Sequence, residues 1–290
     1  EVAKVLRKPF DREKLLVDLD EAFDRAAFMI EVARTSGDEA AERDRQALDE
    51  AIVSDMFGMA LQPLYDLRQG TPRIFAYEAL MRPKHGILSN PYALLTAAER
   101  HDRILDLGTL VLQVAGLILE QLPTAADGLP RLFVNLHPQQ LADPQRLARD
   151  LAALRQPQRV TLEITEQASA TRLDRWEESM KVITDGGYGT AVDDLGSGYS
   201  SLSILADLQP QFIKLDMSLV RNVHREPRKQ RLVQLMTSFG DATGSLVVGE
   251  GVECEEEMRA LLDNGVPILQ GFYFGRPSEH YVPASRPSLR

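Results

Sequence analysis

From residue 58 onward, short apolar runs alternate with longer amphipathic stretches, and this alternation predicts the fold. MALQPLYDL (59–67) and RIFAYEALMR (73–82) are strand-like, and the polar turn RQGTP between them marks an antiparallel hairpin. LFVNLH, VTLEIT, TAVDDLG, FIKLD, LVVGEG and ILQGF follow, and the spacing predicts helices at 92–122, 139–154, 171–185, 199–208, 218–240 and 253–264. Strand–helix alternation implies parallel pairing with helices packed outside. Eight strands suit a closed barrel filled by side chains, whereas an open doubly wound sheet would string the strand ends along an edge. The expected fold is α/β, a TIM-like (β/α)8 barrel with one antiparallel strand, over residues 57–285.

Residues 1–56 read differently, as a helical extension that carries signals or dimerises. Asp11 is an N-cap candidate, and Leu16, Leu19, Phe23, Ala26, Ile30 and Ala33 recur at alternating spacings of three and four. That is either a short coiled-coil seam or the apolar face of a helix lying on a neighbouring domain. Thr35-Ser36-Gly37-Asp38 breaks it, and a second polar-rich helix runs from Asp38 towards Met56.

Seven of the apolar runs end on a polar or ionisable group: Glu78, Asn135, Glu163, Asp193-Asp194, Lys214, Glu250 and Gln270. In a parallel barrel these ends meet at one mouth, where chemistry collects. Five carboxylates there would repel one another unless cations sat among them. This points to a metal-dependent hydrolase with an oxygen-rich, multi-metal site. Lys214, inside the apolar run FIKLDM, needs a partner if buried, either in a structural salt bridge with Asp216 or another acid, or beside a metal-bound hydroxide.

Composition narrows the classes further. With 44% hydrophobic and 26% charged residues in 290, the chain is of ordinary globular type. A net charge of −10 argues against a DNA-binding surface, though local cations in one pocket still allow a phosphate ligand. The lone Cys254 excludes an intrachain disulfide and a cysteine-built zinc site, which fits a reducing cytoplasm. Leu107 to Leu119, interrupted by Gln113, reads as a buried helix too short to span a membrane. No signal peptide is visible, and the start at Glu1 rather than Met fits a fragment.

In order, the motifs Glu78-Ala79-Leu80-Met81-Arg82, LEITE (162–166), DDLGSGYSSL (193–202), IKLD (213–216), GEGVE (249–253) and QGFYFGRP (270–277) resemble the EAL domain family of cyclic-di-GMP phosphodiesterases. The resemblance covers about Ala60 to Pro277. It implies the reversed-strand barrel and hydrolysis of cyclic-di-GMP to linear pGpG with two magnesium or manganese ions flanking the attacking water. By family pattern Glu78, Asn135, Glu163 and Asp193 hold one ion, and Asp193 bridges to a second held by Asp194. Lys214 orients the nucleophile, Glu250 is a general base or further ligand, and Gln270 bonds a water or the substrate. Arg82 is a phosphate contact, with Leu80 and Gln62 beside it in the substrate site. Glu166 anchors the loop opening with Gly196 and Ser197, which contributes to a homodimer contact, and Glu253 supports the metal site from behind.

The chain departs from the pattern at His137, where a small hydroxyl residue is more usual and which stands two residues after Asn135 as a group that crowds or tunes the site, and at Leu195, which replaces a Phe. Neither removes a ligand, so an active enzyme is expected. VLRKPFDREKLL (5–16) resembles the end of a response-regulator receiver domain, which implies an upstream receiver or sensor partner. Two other readings compete. One is a catalytically inactive cyclic-di-GMP receptor. The other is a glycoside hydrolase using one acid pair, which leaves the remaining acids unexplained in a chain only 6% aromatic.

Overall fold

The structure, a computed structural model, describes residues 42–52, 57–84, 86–122, 130–165, 175–196 and 203–279. Eight strands close a barrel in sequence order: β1 (Phe57–Asp66), β2 (Arg73–Pro83), β3 (Arg131–Leu136), β4 (Val160–Thr165), β5 (Gly189–Leu195), β6 (Phe212–Leu215), β7 (Leu246–Gly249) and β8 (Ile268–Gln270). β1 runs antiparallel to both β2 and β8, and every other pair is parallel. The expected reversed strand is therefore β1, turned by the hairpin that RQGTP signals.

Around the barrel lie α1 (42–52), α2 (Pro91–Arg100), α3 (Ile104–Gln121), α4 (Pro144–Leu151) and α5 (Trp176–Asp185). α6 (Ser203–Leu208), α7 (Met217–Val220), α8 (Pro227–Thr243) and α9 (Glu255–Asp263) complete the ring. Three expected helices are interrupted. The 92–122 stretch splits at Asp102, whose left-handed φ of 54° lets Arg103 N–H close on the Ala98 carbonyl at 2.7 Å. The 218–240 stretch breaks at Asn222, φ 59°, and restarts where Pro227 enters the first turn of α8, a position that needs no N–H. The 139–154 stretch begins as a 3-10 turn, Pro138–Ala142, and becomes helical only after Asp143 caps Gln145 and Arg146.

α3 runs 18 residues, longer than the apolar stretch Leu107 to Leu119 and apolar enough by length and hydropathy to cross a bilayer. Its Ile104, Leu107, Leu112, Ala115 and Leu119 are buried in the core between helices and strands, which accounts for that hydropathy without a membrane. α1 docks on the same core through Ala47, Leu48 and Ala51, with Asp44 paired to Arg100 at 2.5 Å and Asp49 to Arg103. The 16–33 seam and the KPF segment lie outside the described residues.

A second, smaller core fills the barrel: Leu64, Ala76, Phe133, Ala191, Phe212, Val248 and Ile268, with Phe133 and Phe212 edge-to-face at 5.1 Å. It is the floor on which the site stands.

Candidate active site

Side chains of a strand return to the same face every second residue. Counting two residues onward from this floor gives Ala76 to Glu78, Phe133 to Asn135, Ala191 to Asp193, Phe212 to Lys214, Val248 to Glu250 and Ile268 to Gln270. The buried Thr161 leads likewise to Glu163. On the reversed β1 the count runs backwards, from Leu64 to Gln62. Pairing registers carry these residues to one level, with Asn135 opposite Glu163 and Gln62 opposite Glu78. Residues scattered over some two hundred positions thus form one polar ring above an apolar plug.

Lys214 is the hub of the ring. Its Nζ lies 2.7 Å from Glu250 Oε1, 3.1 Å from Asp193 Oδ1 and 3.8 Å from Glu78 Oε1, and it pairs with Glu163 as well. Of the two partners read from sequence, Asp216 is not the one: its Oδ1 accepts the Ser218 N–H at 2.9 Å and caps α7. Burial alone would lower the ammonium's pKa, but Asp193, Glu163, Glu250 and Glu78 together raise it well above its ordinary value, so it stays charged. Burial drives the Glu163 carboxyl far up, with Glu78 adding to it, and lifts Glu250 from 4.5 to about 8 against the pull of Lys214. One ammonium is too little for so many acids.

Gln270 Nε2 donates to Glu78 Oε2 at 2.6 Å and to Gln62 Oε1 at 3.0 Å, while Asn135 Nδ2 reaches Glu78 Oε1 at 3.3 Å. These amides hold the Glu78 carboxylate in place. Adjacent Asp193 and Asp194 both serve the mouth because the backbone turns: Asp194 has φ 58°, and its N–H donates to Asp193 Oδ1 at 3.0 Å. Gly196 then bends away at φ 108°, where a Cβ would meet Leu219 Cδ1 at 2.6 Å. Carboxylate oxygens of Asp193, Asp194 and Glu250 lie within 4.8 Å of one another.

The donor set fits hard divalent cations. Glu163 is fully buried, and although Lys214 is its ion partner, neither of its oxygens accepts a hydrogen bond among the described residues. Gln270 Oε1 is buried and unpaired in the same way. Converging carboxylate and amide oxygens match magnesium or manganese better than zinc. The ring opens into a cleft of about 300 Å³ whose lining includes Leu80, Asp194, Arg221, Glu253 and Phe272. That space suits a charged ligand that reaches the acids through bound cations.

A family model of the EAL domain matches residues 45–277. The chain belongs to the EAL domain family. A probable cyclic di-GMP phosphodiesterase, PdeG of Escherichia coli, is 30% identical over 74% of this chain and 43% of its own length. Cyclic di-GMP phosphodiesterase NbdA of Pseudomonas aeruginosa is 29% identical over 80% of this chain and 30% of its length. The chain therefore spans less than half of these curated relatives. Among solved structures, Klebsiella pneumoniae BlrP1 in a manganese/cy-diGMP complex is 32% identical, with TM-score 0.69 over 79% of this chain and 58% of that one. The Xanthomonas citri FimX EAL domain in complex with c-diGMP is 25% identical, with TM-score 0.73 over 86% and 99%.

In this EAL barrel the ring residues read from sequence come together, and Leu80 and Gln62 line the cleft. Arg82 does not: its Nη1 donates to the Met81 carbonyl at 2.7 Å, and it is absent from the cleft lining. Arg221, which sequence reasoning missed, lines the cleft and makes a two-point pair with Glu253. Its signal was faint, a lone Arg five residues after IKLD. Glu253 lines the cleft, pairs with Arg221 and donates its N–H to Glu257 at 2.9 Å. His137 does not crowd the site. β3 ends at Leu136, and His137 caps the 3-10 turn, its Nδ1 accepting from Gln139 and its Nε2 lying 3.3 Å from Glu99. Leu195 is 3% exposed within the outer core, filling the Phe position with apolar volume. Glu166 and Ser197 lie outside the described residues.

Proposed function

We propose that this EAL domain is a divalent-metal-dependent phosphodiesterase that hydrolyses cyclic-di-GMP to linear pGpG. The observation that carries the reading is the buried, over-acidic ring, with Glu163 fully enclosed and its oxygens unsatisfied by hydrogen bonds. An isolated structural salt bridge would not require so many anions around one lysine.

Glu78, Asn135, Glu163 and Asp193 would hold one ion, and Asp193, Asp194 and Glu250 a second. Magnesium or manganese ions, when bound, supply an acidified water and neutralise charge on the phosphoryl oxygens. Lys214 keeps its proton on Nζ and presents positive charge at the floor of the cleft, where it would steady the attacking oxygen and the phosphate. Glu250, lifted to about 8, is poised to take a proton near neutral pH. Gln270 orients Glu78, and Arg221 at the rim is better placed than Arg82 to receive a phosphate oxygen. No protein nucleophile is needed.

The extension, residues 1–56, is proposed to regulate the barrel of residues 57–285. α1 supports this, since it is fixed to α2 and α3 by buried alanines and leucine and by two ion pairs. A receiver or sensor upstream, a homodimer, and a cytoplasmic setting where the second messenger is available complete the proposal.

The test is direct. The chain, incubated with cyclic-di-GMP and manganese, should release pGpG resolved by chromatography, and chelator should stop it. Tight binding by calorimetry without turnover would instead favour the inactive receptor, and activity that persists in chelator would remove the metal site.

A further inference from the structure

Next in sequence to the cleft residues Arg221 and Glu253 stands a cluster of different chemistry. His224, Cys254 and Glu257 each bring one potential ligand atom within 4.8 Å of the others. His224 comes from the 3-10 turn Val223–Arg225 that follows α7, Cys254 is the N-cap of α9, and Glu257 is in the first turn of that helix. Residues about thirty positions apart therefore converge from two elements.

Two of the three already meet at the start of α9, where the Glu257 N–H donates to the Cys254 sulfur and the Cys254 N–H to the Glu257 carboxylate, while His224 keeps a ring nitrogen to spare. His224 Nδ1 is fully buried and has no hydrogen-bond partner among the described residues. Leaving a ring nitrogen enclosed and unpaired is unfavourable unless something takes its lone pair. Cys254 is a free thiol that donates to Glu256. Glu257, 2% exposed, accepts the N–H groups of Asn222 at 2.8 Å, Glu253 at 2.9 Å and Cys254. Three donors on two oxygens leave at least one carboxylate oxygen with a lone pair. Around a tetrahedral zinc, ligand atoms sit about 3.4–3.6 Å apart given the usual bond lengths. Small side-chain rotations would close the cluster to that size.

We infer that His224, Cys254 and Glu257 form a second metal site, taking a thiophilic divalent cation such as zinc with water in the fourth position. A thiolate, an imidazole and one carboxylate select a softer ion than the all-oxygen ring does. The two sites therefore sort cations by ligand chemistry. The site bears on the catalytic loop. Glu250 and Glu253 precede Cys254 in the same β7–α9 connection, and Arg221 precedes His224 in the turn that the site faces. An ion there ties these two segments together and fixes the Arg221–Glu253 pair at the rim. It does not depend on the phosphodiesterase reading, and its test reads the thiolate and not turnover.

Cobalt(II) is the probe, titrated into the full chain under a non-chelating reductant. A near-ultraviolet thiolate-to-cobalt charge-transfer band should appear, saturate at one cobalt per chain, and bleach on adding zinc. Glu78→Gln should leave the band intact, because only a sulfur ligand produces it. Cys254→Ser should abolish it. His224→Gln, folded by circular dichroism, should require about tenfold more cobalt or greater, since even supporting partners of metal ligands contribute that much. No band, a band at one cobalt per two chains, or an unchanged titration in His224→Gln would overturn the site.

Discussion

Replacing Lys214 by Met would remove the cation at the centre of the ring while keeping much of its volume. Lys214 is 1% exposed, and Glu250 and Asp193 stand 2.7 Å and 3.1 Å from it. At an effective dielectric of about 20, each such pair is worth about 5–6 kcal/mol before desolvation. Desolvation, and the protons that Glu163 and Glu250 retain when buried, offset much of this. Breaking a buried pair typically leaves a net loss of about 3–5 kcal/mol. For a domain of this size that lowers Tm by about 10 °C. Thermal unfolding followed by circular dichroism in excess chelator should show the full drop. Saturating manganese should recover at least half of it, because added cations replace the lost charge. A chelated Lys214→Met that melts within about 2 °C of the wild type would refute the electrostatic account, since the acids would then not depend on the lysine.

Glu163→Gln should cut turnover by about 10²–10³ and abolish most of the manganese-induced rise in Tm; an unchanged manganese shift would remove Glu163 from the metal site. The pH dependence of the metal-free fold follows from Glu250, whose folded pKa of about 8 exceeds the ordinary 4.5. Its stabilising contribution is complete below 4.5 and lost as pH rises through about 8, while manganese, which needs carboxylates, binds better over the same range. The gap in Tm with and without manganese should therefore widen from pH 6 to pH 9, and a constant gap would contradict this. Gly271→Ala places a Cβ 2.2 Å from the Val252 carbonyl oxygen, so the β7–α9 connection must move. The expected loss is about 1–3 kcal/mol, with reduced activity, and unaltered melting would show slack in that loop. Arg221→Ala, at a half-exposed rim pair, should barely change Tm yet raise KM for cyclic-di-GMP; an unchanged KM would take Arg221 out of substrate binding.

The ring was legible because of how strands present side chains. An ionisable residue two positions beyond a barrel-filling apolar one must stand on the same face, one layer up, as Ala76 and Glu78 or Phe212 and Lys214 do. Where Arg82 reaches was not legible, because its distance from Glu78 along β2 says nothing of which way a long side chain folds, and here it turns back to Met81. His137 misled because β3 ends one residue before it, and a helical cap claimed its ring. The His224–Cys254–Glu257 cluster was invisible because a lone cysteine carries no metal-ligand spacing by itself.

Periodicity in the chain alone thus determined the strands, the hairpin and the acid-bearing level of the barrel, because these follow from local geometry repeated along each segment. Closure of the sheet decided what local pattern could not. It chose Glu78, Asp193, Glu163 and Glu250 over Asp216 as the companions of Lys214. It also brought Arg221 to the rim. Such choices depend on distances between segments far apart in sequence, and only the packed barrel sets those distances.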